Sequence, residues 1–197
     1  MNYRNIALIG AGGIGSWTAE FLFKAKQGKQ IPLTTQITVV DFDSVEPKNL
    51  TYQNFTFNDL TRMKAESLAN RYFFKAQVKK VQTAEDLAGF DLIILAVDNS
   101  LVRKLVFETC EISGVPWIDL RCNERNIGYY VKSKENTLEK MLTTIGSTDE
   151  KGSCQRPVDI EKNQIHYACI IIAAYGCQCL LNLMRDEQIV DTMIKRV

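Results

Sequence analysis

The chain has 197 residues, 46% hydrophobic and 24% charged, with a formal net charge of +1. Those values fit one globular domain, residues 1–197, with a core that needs no staples. No long run of one charge sign occurs, so composition gives no case for nucleic acid or an anionic membrane surface as the main partner.

The longest apolar region, Ala168 to Met184, is broken by Gly176, Gln178 and Asn182. It reads as a buried core helix, not a membrane span. The N-terminus runs almost directly into a strand and lacks the parts of a signal peptide. The cysteines Cys110, Cys122, Cys154, Cys169, Cys177 and Cys179 form no CxxC pair and no disulfide framework. Free, mostly buried thiols in a cytoplasmic protein are the simplest reading.

In chain order, Asn5 to Gly10 is an apolar run ending in glycine, the pattern of a buried parallel strand. Ser16 to Ala25 has helical spacing, with Trp17, Phe21 and Leu22 on one side. A polar connection, Lys26 to Thr35, leads to the β-branched strand Gln36 to Val40. Asp43 to Phe57 has no clean period and reads as a long functional loop. Asn58 is placed to cap a helix running through Phe74. Ala76 to Val81 is expected as a short strand. Phe90 to Val97 is a second buried-strand signal, followed by a helix from Ser100 to Ser113. Val115 to Leu120 and Ile127 to Lys132 read as two more strands, the latter near an edge.

The segment Ser133 to Asn163 is polar and is assigned little structure. A helix from Gln164 to Arg185 closes the domain. Alternating strands and helices predict a Rossmann-like, doubly wound α/β fold, with a mainly parallel sheet and helices on both faces. Its core spans about residues 5–132, with the loop 133–163 and the C-terminal helix 164–186 completing it.

Gly10-Ala-Gly-Gly-Ile-Gly15 sits between a predicted strand and helix, the context a phosphate-binding turn requires. Gly10, Gly12, Gly13 and Gly15 permit the tight turn, the close approach to phosphate and close helix packing. The helix N-terminus offers free N–H groups and partial positive charge. Asp41 ends the second strand 26 residues after Gly15 and is placed to bind ribose hydroxyls. These features alone do not distinguish a dinucleotide from ATP.

From Ile6 to about Val131 the chain resembles the ThiF/MoeB/HesA family, which includes the adenylation domains of ubiquitin-activating enzymes. The glycine loop is close to the family's GAGGLGS. Asp41-Phe-Asp43-Ser-Val45 matches D-x-D-x-V, and Asn49-Leu-Thr-Tyr-Gln53 matches N-L-x-R-Q except at Tyr52. Met63-Lys-Ala-Glu66 matches the start of the family's K-A-E helix. Ala96-Val-Asp-Asn99 with Arg103 matches A-x-D-N-x-x-x-R.

The resemblance implies ATP and Mg²⁺ as ligands and adenylation of the C-terminal carboxylate of a ubiquitin-like or sulfur-carrier-type protein or peptide. By it, Asp41 and Asp43 border the nucleotide, and Asn49 and Gln53 bond phosphate oxygens. Lys64 supplies charge at the reacting phosphate, Asp98 holds Mg²⁺, and Asn99 lines the site or caps the next helix. A homodimer or heterodimer is also implied.

Three departures stand out. Tyr52 replaces an arginine that grips phosphate in the family, and a neutral phenol cannot act as a bidentate cationic fork; Arg62 is the candidate substitute. Family dimers commonly donate an arginine from an N-terminal helix into the partner's site. Here Arg4 stands too close to the first strand for that reach. Gly152 to Pro157 keeps only Cys154 of the family's first zinc-binding segment. Cys177 and Cys179, two apart on a helix, point to different sides, so no zinc is expected. Cys154 is instead a candidate thioester nucleophile, set against an unreactive loop thiol. Cys122 is expected at a strand end near the nucleotide, and His166 as a helix residue.

The leading reading is therefore an adenylyltransferase acting on a protein or peptide C-terminus. A catalytically impaired nucleotide-binding subunit of a heterodimer, suggested by Tyr52, is the alternative. An NAD(P)-dependent oxidoreductase leaves Asn49, Gln53 and Lys64 unexplained.

Overall fold

The computed structural model describes residues 3–146, 155, 157–162 and 164–197. Its strands are β1 (Asn5–Ile9), β2 (Gln36–Val40), β3 (Lys75–Gln77), β4 (Leu92–Leu95), β5 (Trp117–Asn123), β6 (Asn126–Val131) and β7 (Thr192–Arg196). They form one sheet in the order β3-β2-β1-β4-β5-β6-β7. The strands from β3 to β5 pair in parallel; β6 and β7 add antiparallel. The helices are α1 (Gly13–Gln27), α2 (Lys64–Tyr72), α3 (Ser100–Ser113), α4 (Leu138–Thr143), α5 (Pro157–Glu161) and α6 (Ala168–Arg185).

The central strands are apolar on both faces because both are covered. Ile6, Leu8, Ile37, Val39, Leu92 and Ile94 join the core beneath α1, α2 and α6. Their strand neighbours Ala7, Ile9, Val40, Ile93 and Leu95 join a second core with Val106 and Phe107 of α3 and Met141 of α4. This alternation within continuous apolar runs establishes the doubly wound arrangement. Strand order reverses between β1 and β4, which opens a crevice at their C-terminal ends.

α6 has a mean hydropathy of 1.5, and by length and composition alone it can cross a membrane. In the fold it packs on α1, β5 and β6, the position of a core helix. Burial pushes the Cys110, Cys177 and Cys179 thiols up to about 11, so these cysteines act as small core residues.

Several boundaries differ from the sequence reading. The helix expected from Asn58 begins only at Lys64. Before it, Asp59 accepts from the Thr56 N–H at 2.7 Å and its hydroxyl at 2.9 Å, closing a 3-10 turn over Phe57–Asp59. Thr61 then takes a left-handed conformation (φ 66°), and Val45 donates to the Arg62 carbonyl at 2.8 Å. Local side-chain bonding and this ladder override the helical spacing. β3 covers Lys75–Gln77 instead of 76–81, since β2 offers partners only from Thr38 to Val40.

The polar segment after Ser133 contains α4 and α5. α6 starts at Ala168, four residues later than expected. Gln155 bonds both the N–H and the carbonyl of His166, holding the approach out of the helix. The domain does not close on that helix. β7 follows and pairs with β6 at the sheet edge.

Two glycines of the first turn separate packing from ligand access. A Cβ on Gly15 would lie 1.8 Å from the Gly10 carbonyl oxygen, whereas one on Gly12 meets nothing within 4 Å. Gly15→Ala is expected to cost about 1–3 kcal/mol or more, visible as a lowered Tm in thermal melting. Gly12→Ala should stay within about 1 kcal/mol of the parent. Equal melting temperatures for the two variants would contradict this account of the turn.

Candidate functional site

The crevice is bounded first by the turn leaving β1. Gly10 has φ +94°, and a Cβ there would sit 2.5 Å from the Ala96 carbonyl oxygen, so the turn and the end of β4 are in contact. Gly12, Gly13 and Ile14 line the crevice at the N-terminus of α1, where helical N–H groups have no carbonyl partner. Asp41, at the end of β2, accepts from the Ala11 N–H at 2.6 Å and the Asp43 N–H at 2.8 Å. Burial pushes the Asp41 carboxyl up from its ordinary range, opposed by those two N–H groups and by Lys64. Asp41 therefore shapes the turn from within, and its remaining lone pairs border the crevice.

The segment after Asp41 is the long loop expected from the sequence, with its own framework. Pro47 opens a 3-10 turn, Pro47–Thr51. Asn49 is buried there and accepts from the Glu46 N–H at 2.8 Å. Gln53 is buried too; its Nε2 donates to the Tyr52 hydroxyl at 3.1 Å and its Oε1 has no partner. Tyr52 is half-buried, and its carbonyl accepts from Trp17 Nε1 at 3.0 Å. Arg71 on α2 donates to the Asn54 carbonyl at 2.7 Å and pairs with Asp59, bracing the loop from behind.

Lys64 opens α2. Its N–H donates to the Asp43 carbonyl at 2.8 Å, and its ammonium lies 3.1 Å from the Asp43 carboxylate. The Lys64 side chain is 8% exposed, while that of Asp43 is 51% exposed. The bridge between Ser44 and Met63 holds the two segments in this register. Asp43 is thus first the partner of Lys64. Arg62 is exposed, and it is not among the residues of the crevice, so it does not stand in for the missing arginine at Tyr52.

The third wall follows β4. Asp98 is exposed at the crevice and makes no described hydrogen bond, which leaves a carboxylate free to take a cation. Asn99 caps α3 through Oδ1, accepting from Leu101 and Val102 N–H groups at 2.8 and 3.2 Å. Only its amide nitrogen remains for a ligand. Among the described residues, no group of three or more metal-ligating side chains converges. Mg²⁺ needs no such group, since one or two carboxylates with phosphate oxygens suffice.

Sequence reasoning missed the far end. Asp119 of β5 is fully buried between Arg103, whose Nε donates at 3.0 Å, and Arg121, whose Nε donates at 2.6 Å. Arg121 also donates to the Thr144 carbonyl and hydroxyl and stacks 4.5 Å over Tyr130. Arg103 and Arg121 both line the crevice, as do Cys122 and Ile127. Cys122 is therefore at the strand-end position expected of it. An aspartate within an apolar strand, flanked by arginines in sequence and in the preceding helix, was the available signal.

The whole crevice encloses about 1850 Å³, well above the 300–1,000 Å³ of an ordinary small-ligand pocket. It brings together Gly10, Gly12, Gly13, Asp41, Asp43, Asn49, Gln53, Lys64, Asp98 and Asn99. Gly15 packs behind the turn instead. Cys154 lies outside the described residues. His166 precedes α6, 3.8 Å from Asp159 and away from the crevice.

A family model described as the ThiF family matches residues 2–191. Adenylyltransferase and sulfurtransferase UBA4 of Yarrowia lipolytica is 28% identical over 123 residues, covering 57% of this chain and 29% of that protein. SAMP-activating enzyme E1 of Haloferax volcanii is 30% identical over 124 residues, covering 57% of this chain and 43% of that one. The chain thus spans less than half the length of either relative. The crystal structure of E. coli MccB with ATP superposes with a TM-score of 0.67 at 16% identity, covering 98% of this chain and 63% of that one, a likeness of fold. With the glycine turn, Asp41, Lys64 and Asp98 gathered in one crevice, and with a family match running nearly end to end, the chain belongs to the ThiF family.

Proposed function

We propose that the chain binds ATP–Mg²⁺ at the glycine turn and adenylates the C-terminal carboxylate of a ubiquitin-like or sulfur-carrier-type protein or of a peptide. The observation that carries this reading is the meeting of three things in one crevice: the open α1 N-terminus at Gly12, the buried Lys64 ammonium and the unpartnered Asp98 carboxylate. The names of the relatives support it, since UBA4 is an adenylyltransferase and the H. volcanii protein a SAMP-activating enzyme. MccB is also seen with AMPCPP and MccA.

In this reading Asp41 accepts from the ribose, and the α1 N-terminus with Asn49 and Gln53 donates to phosphate oxygens. Asp98 holds Mg²⁺, which when bound offsets charge on the phosphates. Lys64 faces the α-phosphorus, where charge builds. An acceptor carboxylate oxygen attacks that phosphorus; the new P–O bond forms as the bond to the bridging oxygen breaks. Pyrophosphate leaves with the electron pair. The nucleophile carries no proton, so the step requires no general base, and the crevice contains no histidine.

Tyr52 favours a second reading, a subunit that binds nucleotide without using it. Its hydroxyl already accepts from Gln53. ATP–pyrophosphate exchange with candidate ubiquitin-like and peptide partners separates the two. Exchange is expected, and Lys64→Gln should slow it by roughly 10²–10³. Tight ATP binding without exchange for any partner, with exchange gained in Tyr52→Arg, would establish the second reading instead.

Asp41 gives a pH-dependent check. A carboxyl raised in the folded state contributes stability at low pH that is lost as pH rises through its folded value. Asp41→Asn removes that loss. The Tm of the variant minus that of the parent should therefore increase between pH 4 and pH 7, while ATP affinity falls. A Tm difference that is flat or declining over that range would show that burial is not what governs Asp41.

A further inference from the structure

At the glycine-turn end of the crevice most lysines have a carboxylate partner, apart from Lys80, which lies over the Phe42 ring, and Asp98 is a carboxylate with no described ion pair. Lys48 pairs with Glu46, Lys64 with Asp43 and Lys79 with Asp86. Arg103 and Arg121 instead share the single carboxylate of Asp119. Within this cluster, two guanidiniums against one carboxylate leave one positive charge in surplus. Their side chains are 12% and 20% exposed, so the surplus is partly desolvated and still reachable from the crevice.

The cluster is also held rigid. Asp119 fixes both Nε groups, Thr144 takes one hydrogen from each Nη of Arg121, and Tyr130 supports the face of its guanidinium. One hydrogen on each Arg121 Nη stays unused, and Arg103 Nη1 has no described partner. Rigid, charged and under-used donors make an oxyanion site with little ordering cost on binding.

Sheet order places this site. Asp41 ends β2 and Arg121 lies on β5, on opposite sides of the β1 turn and β4. A nucleotide with its ribose on Asp41 and phosphates on the turn points toward β5. The crevice continues there, with Cys122, Ile127 and Tyr130 in its lining. We infer that Arg121, with Arg103 and Asp119, forms a second oxyanion subsite at the β5 end of the crevice, distinct from the glycine turn. Its ligand is a carboxylate or phosphate group. Its place in a reaction, as the seat of the acceptor carboxylate or of released pyrophosphate, rests on the adenylation reading.

The full chain is titrated with diglycine, glycylglycinamide and inorganic pyrophosphate, with and without AMPCPP–Mg²⁺, by calorimetry and by NMR of the arginine Nε–Hε groups. At least one oxyanion probe should bind saturably and move the Arg121 resonance. Arg121→Gln, which cancels the surplus charge, should weaken that probe tenfold or more and AMPCPP by less than threefold. Arg121→Lys should weaken it less than Arg121→Gln.

Diglycine binding beside AMPCPP, with the amide inert, identifies a carboxylate seat; pyrophosphate binding without diglycine identifies a phosphate seat. The inference is overturned by no saturable binding of either anion. An unmoved Arg121 resonance in the folded parent would overturn it as well, and so would equal loss of probe and AMPCPP in the variant. If the anion binds but AMPCPP does not, the adenylation reading fails and the subsite stands.

Discussion

The crevice depends on one close approach, that of the α1 backbone at Gly15 to the carbonyl of Gly10. A Cβ at Gly15 would fall 1.8 Å from that oxygen, so only glycine lets the helix begin so near the strand it follows. Gly10 itself is pressed against the Ala96 carbonyl, which ties the turn to the neighbouring strand β4. Asp41 closes the third side through the Ala11 N–H. Three strand ends thus converge on a few backbone atoms. The α1 N–H groups, the Asp41 carboxylate and the Asp98 carboxylate that line the crevice are positioned relative to that knot.

The loop between Asp41 and Lys64 extends this rigidity to side chains. It is neither an α-helix nor a loose connection, but a loop carrying two 3-10 turns. Capping boxes at Glu46 and Thr56, the Val45–Arg62 ladder and the Arg71 brace satisfy its polar groups locally. Buried polar side chains tolerate such a place only when they are bonded. Gln53 Oε1 is an exception, lacking a partner inside the crevice wall. An unsatisfied acceptor next to a tyrosine hydroxyl is a cost to the fold.

Much of this was legible in the sequence, for identifiable reasons. β1, β4 and the glycine turn were readable because buried parallel strands are short apolar runs and the turn needs glycine. Asp41 was readable from its place at the end of the second strand, whereas Asn49, Lys64 and Asp98 were readable only through family resemblance. The start of α2 was misread because Leu60 and Met63 keep helical spacing while Thr61 is left-handed and Arg62 pairs with Val45. β7 escaped notice because an edge strand exposed on most positions carries no clear alternation. The Asp119 cluster escaped because its meaning lies in contacts across β5, α3 and α4.

In the adenylation reading proposed above, the charge arrangement bears on how a chain with Tyr52 in place of the family's arginine would hold a nucleotide. Lys64 is almost fully buried, and its ammonium faces the half-exposed Asp43 carboxylate at 3.1 Å. An arriving phosphate can then share Lys64 with Asp43, so the cation needs no further desolvation. The same pairing makes the nucleotide end nearly neutral, so a polyphosphate gains less there from net charge than from oriented N–H groups and a bridging cation at Asp98. Net positive charge sits instead at Arg103 and Arg121, away from the ribose side. The crevice therefore divides its polar groups along its length: helix N–H groups and the Asp98 carboxylate at the turn, fixed cations at the β5 end. A tyrosine at position 52 fits that division better than it would fit a site relying on charge at the turn itself.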